Sequence, residues 1–244
     1  MRFSVVVPAY NEAASLPATL DSLRRQDLDG GFEVIVVDNG SRDPPAAVAA
    51  GHGARVVVEP GRGVGNARQT GVDAAHGEIV VSTDADTTHP ADWLRRIDRR
   101  FQTHPEAVAV AGPCRYADPP WWGKVFPAIG FGVVGSAARL LGRPSYVTAT
   151  NLAFRRTGFV GYDTTLTQGG DEVDLLRRLV LSGQVVWDAG NVVDTSSRRF
   201  RLGLVHTVVV SYGYYYVLST LVNRLARRRV IGVAPAIRPS NTSG

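Results

Sequence analysis

Four short apolar runs in the first third of the chain constrain its fold more than any other feature. Residues 3–7, 32–37, 55–58 and 78–83 are rich in Val and Ile, and each stops at a proline or an acid. The stretches between them carry helical spacing. Leu16, Leu20 and Leu23 share one face, Ser15 is placed to cap that helix, and Pro17 fits its first turn. Pro90 opens a second such segment, with Trp93, Leu94, Ile97 and Phe101 on one side. Residues 107–111 read as a further strand. Strands alternating with helices predict a mostly parallel sheet joined by crossover helices. At 244 residues the chain can bury the core of one α/β domain, and no internal repeat is visible.

The polar ends of the runs carry the candidate chemistry. Asp84-Ala85-Asp86 places two carboxylates, one small residue apart, where a buried strand meets solvent. That pattern suits a hard divalent cation such as Mg²⁺ or Mn²⁺, which takes oxygen ligands and keeps positions for phosphate oxygens. Alone, the same triplet is a common solvated turn. It gains weight from three companions: Val5–Glu12, Phe32–Ser41 and the glycine-rich Gly61–Arg68. The glycine run fails the dinucleotide pattern. Counted from Gly61 the third glycine position is Asn66, and counted from Gly63 it is Arg68. It also follows the third strand rather than the first, which argues against an oxidoreductase.

In order, Val-Val-Pro-Ala-Tyr-Asn-Glu (6–12), Val-Val-Asp-Asn-Gly-Ser (36–41), Gly-Asn-Ala-Arg (65–68) and Asp-Ala-Asp (84–86) resemble the family 2 glycosyltransferases. A downstream acidic cluster, Gly170-Asp171-Glu172-Val173-Asp174, extends the likeness to roughly residues 3–190. The resemblance implies the A-type fold: a Rossmann-like, mostly parallel sheet flanked by helices. It implies an inverting, metal-dependent transfer of sugar from a nucleotide diphosphate sugar, UDP first and GDP second. Pro8, Ala9, Tyr10 and Glu12 would border the nucleotide, and Asp38 would accept from a base N–H. Arg68 would help hold the nucleotide. Asp84 and Ala85 would touch ribose or sugar, and Asp86 would be the direct metal ligand. From the residues alone, Tyr10 also fits a packed ring, and Asp38 fits a turn cap before Asn39-Gly40.

The general base would lie at Asp171 or Glu172. The family usually carries Glu-Asp there and this chain carries the reverse, so both stay open, with Glu172 matching the column. Acids at a helix start are also the default on dipole grounds. Arg198 and Arg199 would clamp the diphosphate in place of a lysine; a basic rim facing lipid is the other reading. Asn151, in Thr148–Arg156, is an acceptor contact by resemblance and a buried strand amide by the plainer reading. Trp121 and Trp122 form a stiff aromatic entry ahead of the charge-free, glycine-rich Val125–Ala138, in a stretch that the resemblance places near the acceptor. His89 reads as a surface histidine at a helix start rather than a ligand. His206 reads as structural rather than a third metal ligand.

Charge divides the chain. From Thr195 onward there are eight arginines and no acid, so the net charge of +5 belongs to the C-terminal segment. Leu202–Val222 holds no charged residue, but its tyrosines and hydroxyls make a poor span. An interfacial or protein-packed helix is expected, with Val205, Val209, Tyr212 and Tyr216 on one face. That combination points to an anionic membrane surface and a lipid-linked acceptor, a polyprenyl phosphate or glycolipid, rather than to nucleic acid. Cys114 is the single cysteine, so no intrachain disulfide is expected. Only four apolar residues separate Arg2 from Pro8, so no signal peptide is expected either. The expected organisation is a transferase domain over 1–200, with a nucleotide half (1–115) and an acceptor half (116–200). An apolar helix with a basic end (201–230) and a flexible tail (231–244) follow. The expected location is the cytoplasm, on the inner face of the membrane. Two rivals remain: a nucleotidyltransferase, which would want a glycine-rich signature and lysine near strand one, and a non-catalytic nucleotide-sugar binder.

Overall fold

The computed structural model describes residues 1–61, 63–124, 149–164, 171–218, 222, 225, 226 and 230. At 171–173, 199, 211, 212 and 215–217 it describes the backbone alone. The Val125–Ala138 stretch, the arginines at 224 and 227–229 and the 231–244 tail therefore lie outside the described residues.

The expected alternation is present. β1 (Phe3–Ala9), β2 (Phe32–Asp38), β3 (Arg55–Val58) and β4 (Ile79–Ser82) are joined through α1 (Leu16–Arg24), α2 (Ala46–Gly51) and α3 (Val64–Asp73). Then come β5 (Thr87–Thr88), α4 (Trp93–Thr103), β6 (Ala107–Ala111), β7 (Cys114–Ala117) and β8 (Leu152–Arg155). α5 (Asp171–Ser182), β9 (Gln184–Trp187) and β10 (Val193–Ser196) complete the body. The main sheet has seven strands in the order β3-β2-β1-β4-β8-β6-β9. Its first four strands are parallel, whereas β8 runs antiparallel to both β4 and β6. β8 belongs to the expected acceptor half yet lies between two strands of the nucleotide half, so the two halves share one sheet.

The apolar runs lack alternation because both faces of the sheet are covered. On one face Phe3, Val5, Val7, Val36, Ile79 and Val81 pack with Leu16, Leu20, Trp93, Ile97 and Phe101 from α1 and α4. On the other, Val6, Ile35, Val37, Val80 and Phe154 pack with Ala67, Leu175, Leu176 and Leu179 from α3 and α5. α3 approaches β1 closely enough that a Cβ on Gly71 would sit 2.2 Å from a methyl of Val6. Only glycine fits there, which explains that residue in an otherwise ordinary helix.

A second sheet was not legible in the sequence. It has three strands in the order β5-β10-β7, with β10 antiparallel to β5 and parallel to β7. After β10 comes a 3₁₀ turn, Arg198–Leu202, and then a π-helical segment, His206–Leu218. The π winding, bonded to i+5, departs from the 3.6-residue period on which the expected face of Val205, Val209, Tyr212 and Tyr216 rests, and the side chains of Tyr212 and Tyr216 lie outside the described residues. Val205 and Val209 are 75% and 60% exposed. Among the described residues no helix is long and apolar enough to cross a membrane.

Candidate active site

The strand order reverses at β1, since β2 and β3 lie on one side of it and β4 on the other. In open α/β sheets such a switch point leaves a crevice beyond the carboxyl ends of the strands. Residues 8–12 leave β1 at this edge, Asp38 ends β2, and Asp84-Ala85-Asp86 follows β4.

The β4 turn is pinned from three directions. Thr87 N–H donates to the Asp84 carbonyl (3.2 Å), and the Thr19 hydroxyl of α1 donates to the Ala85 carbonyl (2.9 Å). Ser196 N–H of β10 donates to the Asp86 carbonyl (3.2 Å). Ala85 is buried while Asp84 and Asp86 stay half-buried, so the backbone is fixed and the carboxylates are directed outward from it.

Two arginines meet these acids. Arg68 of α3 is 3% exposed and donates to Asp84 Oδ1 at 2.9 Å. Arg198 lies far away in sequence. Its Nη1 donates to Glu12 Oε2 at 2.7 Å, its Nη2 donates to Glu12 Oε1, and the same Nη2 is 3.0 Å from Asp86 Oδ2. Burial works against the Arg198 charge, but the Glu12 hydrogen bonds and the negative charges of Asp86, Glu12 and Asp84 outweigh it and hold its pKa above the usual arginine value.

The nucleotide side is organised by short side chains. Asp38 Oδ1 accepts from Ser41 N–H (2.9 Å), and Ser41 Oγ accepts from Asn11 N–H (3.0 Å). Asn11 itself sits at φ 53°, the left-handed region that Asn tolerates, and its Oδ1 accepts from Arg42 N–H (2.8 Å). Asn39, which the sequence reading passed over, holds the glycine-rich loop. Its Nδ2 donates to the Gly61 carbonyl (2.6 Å) and its Oδ1 accepts from Gly63 N–H (3.0 Å). Gly63 takes φ 126° as the chain turns into α3, a conformation that favours glycine. The only hint in the sequence was Asn-Gly directly after the Asp38 strand.

Other expectations shift. Ser15 makes no side-chain cap; instead the Glu12 carbonyl accepts the N–H groups of Ser15 and Leu16. His89 is buried, not on the surface. Its ring lies 4.0 Å from that of Trp93, its nitrogens meet Ser22 Oγ (3.0 Å) and Thr83 Oγ1 (2.8 Å), and burial pushes its pKa down to about 3. Asn151 corrects the acceptor expectation. At 2% exposure its Oδ1 accepts from Trp93 Nε1 (2.9 Å) and its Nδ2 donates to the carbonyls of Asn191 (2.6 Å) and Pro113 (3.1 Å). Those bonds use its amide on the protein interior, as the plainer reading had it. His206 has a buried Nδ1 without a hydrogen-bond partner but forms no metal-binding group with Asp84 and Asp86.

Trp121 is 80% exposed, and Trp122 meets Phe200 edge-on with ring centroids 5.3 Å apart. Tyr116 meets the same Phe200 at 4.7 Å. Phe200 is two residues beyond Arg198, so this aromatic group and the arginine that meets Glu12 and Asp86 are fastened to one short turn. Asp171 and Glu172 open α5, whose Leu175, Leu176 and Leu179 are buried. Their side chains, like that of Arg199, lie outside the described residues.

Among the described residues no three Asp, Glu, His or Cys side chains form a ready cation cage. The donors still fit Mg²⁺ or Mn²⁺, which bind through one or two carboxylates together with substrate phosphates. Glu12, Asp84 and Asp86 bring three negative charges against the two of Arg68 and Arg198. An anionic diphosphate entering that site would gain from an added cation.

Comparison with known proteins bears on this arrangement. Residues 4–159 match the family model described as glycosyl transferase family 2. An uncharacterized glycosyltransferase of Mycobacterium tuberculosis is 34% identical over 184 residues, 74% of this chain and 79% of the relative. A mannosyltransferase of Pyrobaculum calidifontis, solved with GDP-Man and Mn²⁺, superposes with TM-score 0.67 at 24% identity over 96% of this chain and 66% of that one. Staphylococcus aureus TarS 1-349, solved with UDP-GlcNAc, gives TM-score 0.67 at 19% identity over 80% of this chain and 58% of that one. At such identities the two solved structures establish likeness of fold.

Proposed function

The chain belongs to glycosyl transferase family 2, and from that premise we propose that it moves a sugar from a UDP-sugar, or second a GDP-sugar, to a lipid-linked acceptor with inversion at the anomeric carbon. One observation carries the donor side: Asp38, Asp84 and Asp86 stand at the carboxyl ends of β2 and β4, the two parallel strands that flank β1, with Arg68 and Arg198 among the acids. The solved relatives with UDP-GlcNAc and with GDP-Man and Mn²⁺ support the two donor classes.

In this reading Pro8, Ala9 and Tyr10 border the nucleotide, and Asp38 accepts from the base. Asp86, with Asp84 beside it, holds Mg²⁺ or Mn²⁺. The bound cation would supply Lewis-acid stabilisation of the leaving diphosphate. Arg68 fixes Asp84 in place, and Arg198 offers a planar guanidinium to the phosphates. Arg199 stands beside it in sequence as a second candidate. Glu172 or Asp171, at the start of α5, takes the acceptor proton on the face opposite the leaving group, which gives inversion. Trp121 and Trp122 line the acceptor side. The acid-free, arginine-rich C-terminal segment and the exposed Trp121, Val205 and Val209 support docking on the inner, anionic face of a membrane.

The test is thermal stabilisation across UDP-, GDP-, CMP- and dTDP-sugars, with Mn²⁺ and with EDTA. The expected result is a metal-dependent shift with a UDP- or GDP-sugar that Asp86→Ala abolishes. No shift with any of them, in folded protein, would overturn the donor assignment. Turnover that releases nucleoside diphosphate rather than pyrophosphate would separate transfer of sugar from transfer of nucleotide.

A further inference from the structure

The contact between Arg198 and Asp86 sits where a divalent cation would have to bind. Nη2 of Arg198 is 3.0 Å from Asp86 Oδ2, while the same guanidinium is bidentate on Glu12, whose side chain is 4% exposed. A divalent ion arriving alone at Asp86 would lie within a few ångströms of that guanidinium, where like charges repel strongly in a half-buried site. Removing Arg198 from Asp86 without replacement would in turn strip a buried cation of one of its counter-charges.

The two arginines of the site differ in how firmly they are held. Arg68 projects from a packed helix and is 3% exposed. Arg198 opens a five-residue 3₁₀ turn that ends at Gly203 with φ 89°, and its side chain is 16% exposed. The guanidinium meets Asp86 through Nη2 alone while Nη1 and Nη2 both bond Glu12, so it can leave Asp86 and still keep Glu12. Phosphate oxygens are well suited to be the new partner, because they match its planar fork in pairs.

We propose that Arg198 is a resident counter-cation that couples the two ligands of the donor site. In the nucleotide-free protein it occupies Asp86 and keeps a lone divalent ion weakly bound. When a nucleoside diphosphate arrives, its guanidinium moves from Asp86 onto the phosphates, and the carboxylate becomes open to the cation. Nucleotide and cation then bind as a cooperative pair. This rests on the reading that Asp86 is the cation ligand, and it goes beyond that reading by assigning the coupling to one side chain.

The experiment is a titration of the full chain with Mn²⁺, free ion being followed by electron paramagnetic resonance, in the absence and presence of UDP or GDP. Wild type is expected to bind Mn²⁺ alone weakly, with nucleotide raising the affinity about tenfold or more. Arg198→Gln is expected to bind Mn²⁺ alone about tenfold more tightly than wild type and to lose most of the nucleotide dependence. Arg198→Lys, which keeps the charge, should still resist the lone ion. Because coupling is reciprocal, Mn²⁺ must raise nucleotide affinity in wild type by the same factor. Arg198→Met keeps the aliphatic stem packed and carries the same test should the glutamine variant fail to fold. A folded Arg198→Gln or Arg198→Met protein that binds lone Mn²⁺ no more tightly than wild type overturns the coupling. Asp86→Asn separates that failure from failure of the donor site. If it abolishes Mn²⁺ binding in the presence of nucleotide, the cation ligand stands whatever Arg198 does. If it leaves that binding intact, the cation does not sit at Asp86 and both readings fall.

Discussion

The acids of the site and the arginine that meets them are held in different ways. Asp38, Asp84 and Asp86 stand at the ends of strands whose apolar residues are buried on both faces, so their positions follow from the packing of the main sheet. Arg198 reaches them through β10, a four-residue strand fixed by a two-residue partner, β5, and by β7. Past the buried Phe200 the chain carries exposed Leu202, Leu204, Val205 and Val209. The lesson is a division of labour: the half of the site that must stay rigid is built on the sheet, and the half that must adjust is hung from its edge.

The comparison breaks most readily at the acids. Asp86→Ala should lower turnover by about a thousandfold, equivalent to roughly 4 kcal/mol of transition-state stabilisation, with a smaller loss of thermal stability because Arg198 loses one of its two acidic partners. Steady-state kinetics beside a melting curve checks it. Loss of less than tenfold would mean that Asp86 takes no part in holding the diphosphate.

Next in size is Trp93→Ala, in the core behind the site. Trp93 is 0% exposed and its Nε1 donates to Asn151, so the truncation should cost about 3–5 kcal/mol in urea unfolding. A cost under 1 kcal/mol would show that this face of the sheet is looser than its packing implies.

Acid sharpens the same contrast. The unfolded chain protonates His89 near pH 6.5, but the fold resists until about pH 3. The unfolded state therefore binds more protons across that window, and stability should fall as pH drops from 6.5 towards 3, by at most about 1.4 kcal/mol per unit from this group. Glu33 adds a lower window. Burial alone would raise its pKa, but bonds from Ser4, Arg55 and His76 overcome that and lower it to about 2. Its contribution is full above about 4.5 and is lost as pH falls through 2. Urea midpoints measured against pH, in wild type and His89→Gln, should differ in slope between pH 6.5 and 5. Equal slopes would mean that His89 protonates freely in the folded protein.

The smallest effect belongs to the edge. Val209→Ser, at a position 60% exposed, should change stability by less than about 0.5 kcal/mol, while weakening sedimentation with vesicles rich in anionic lipid. A large stability loss would mean that the segment after Gly203 is part of the core.

How far the sequence reached depended on whether a feature was local. The strand at 107–111 and the one at 55–58 appear at the expected bounds, and the helix with Trp93, Leu94, Ile97 and Phe101 buries those four side chains. The β5-β10-β7 sheet was missed, because Thr87–Thr88 has no pattern of its own and becomes a strand only when Asp194 and Thr195 pair with it. The same long reach hid the fate of polar residues. Asn151 was open between an acceptor contact and a buried amide until Trp93, Pro113 and Asn191 converged on it. His89 looked exposed beside Pro90 until α1 supplied Ser22.

By itself the sequence determined the parallel strands, the acids at their ends and the helices between them. Each rests on a run of a few residues whose burial and turn chemistry are written locally. Only the tertiary structure decided that β8 runs antiparallel inside the sheet, that Asn39 holds the glycine loop, and that Arg198 meets both Asp86 and Glu12, the latter 186 positions before it. The reason is physical: a side chain's hydrogen-bond partner is chosen by pairing between distant strands, and no local periodicity records which strands will meet.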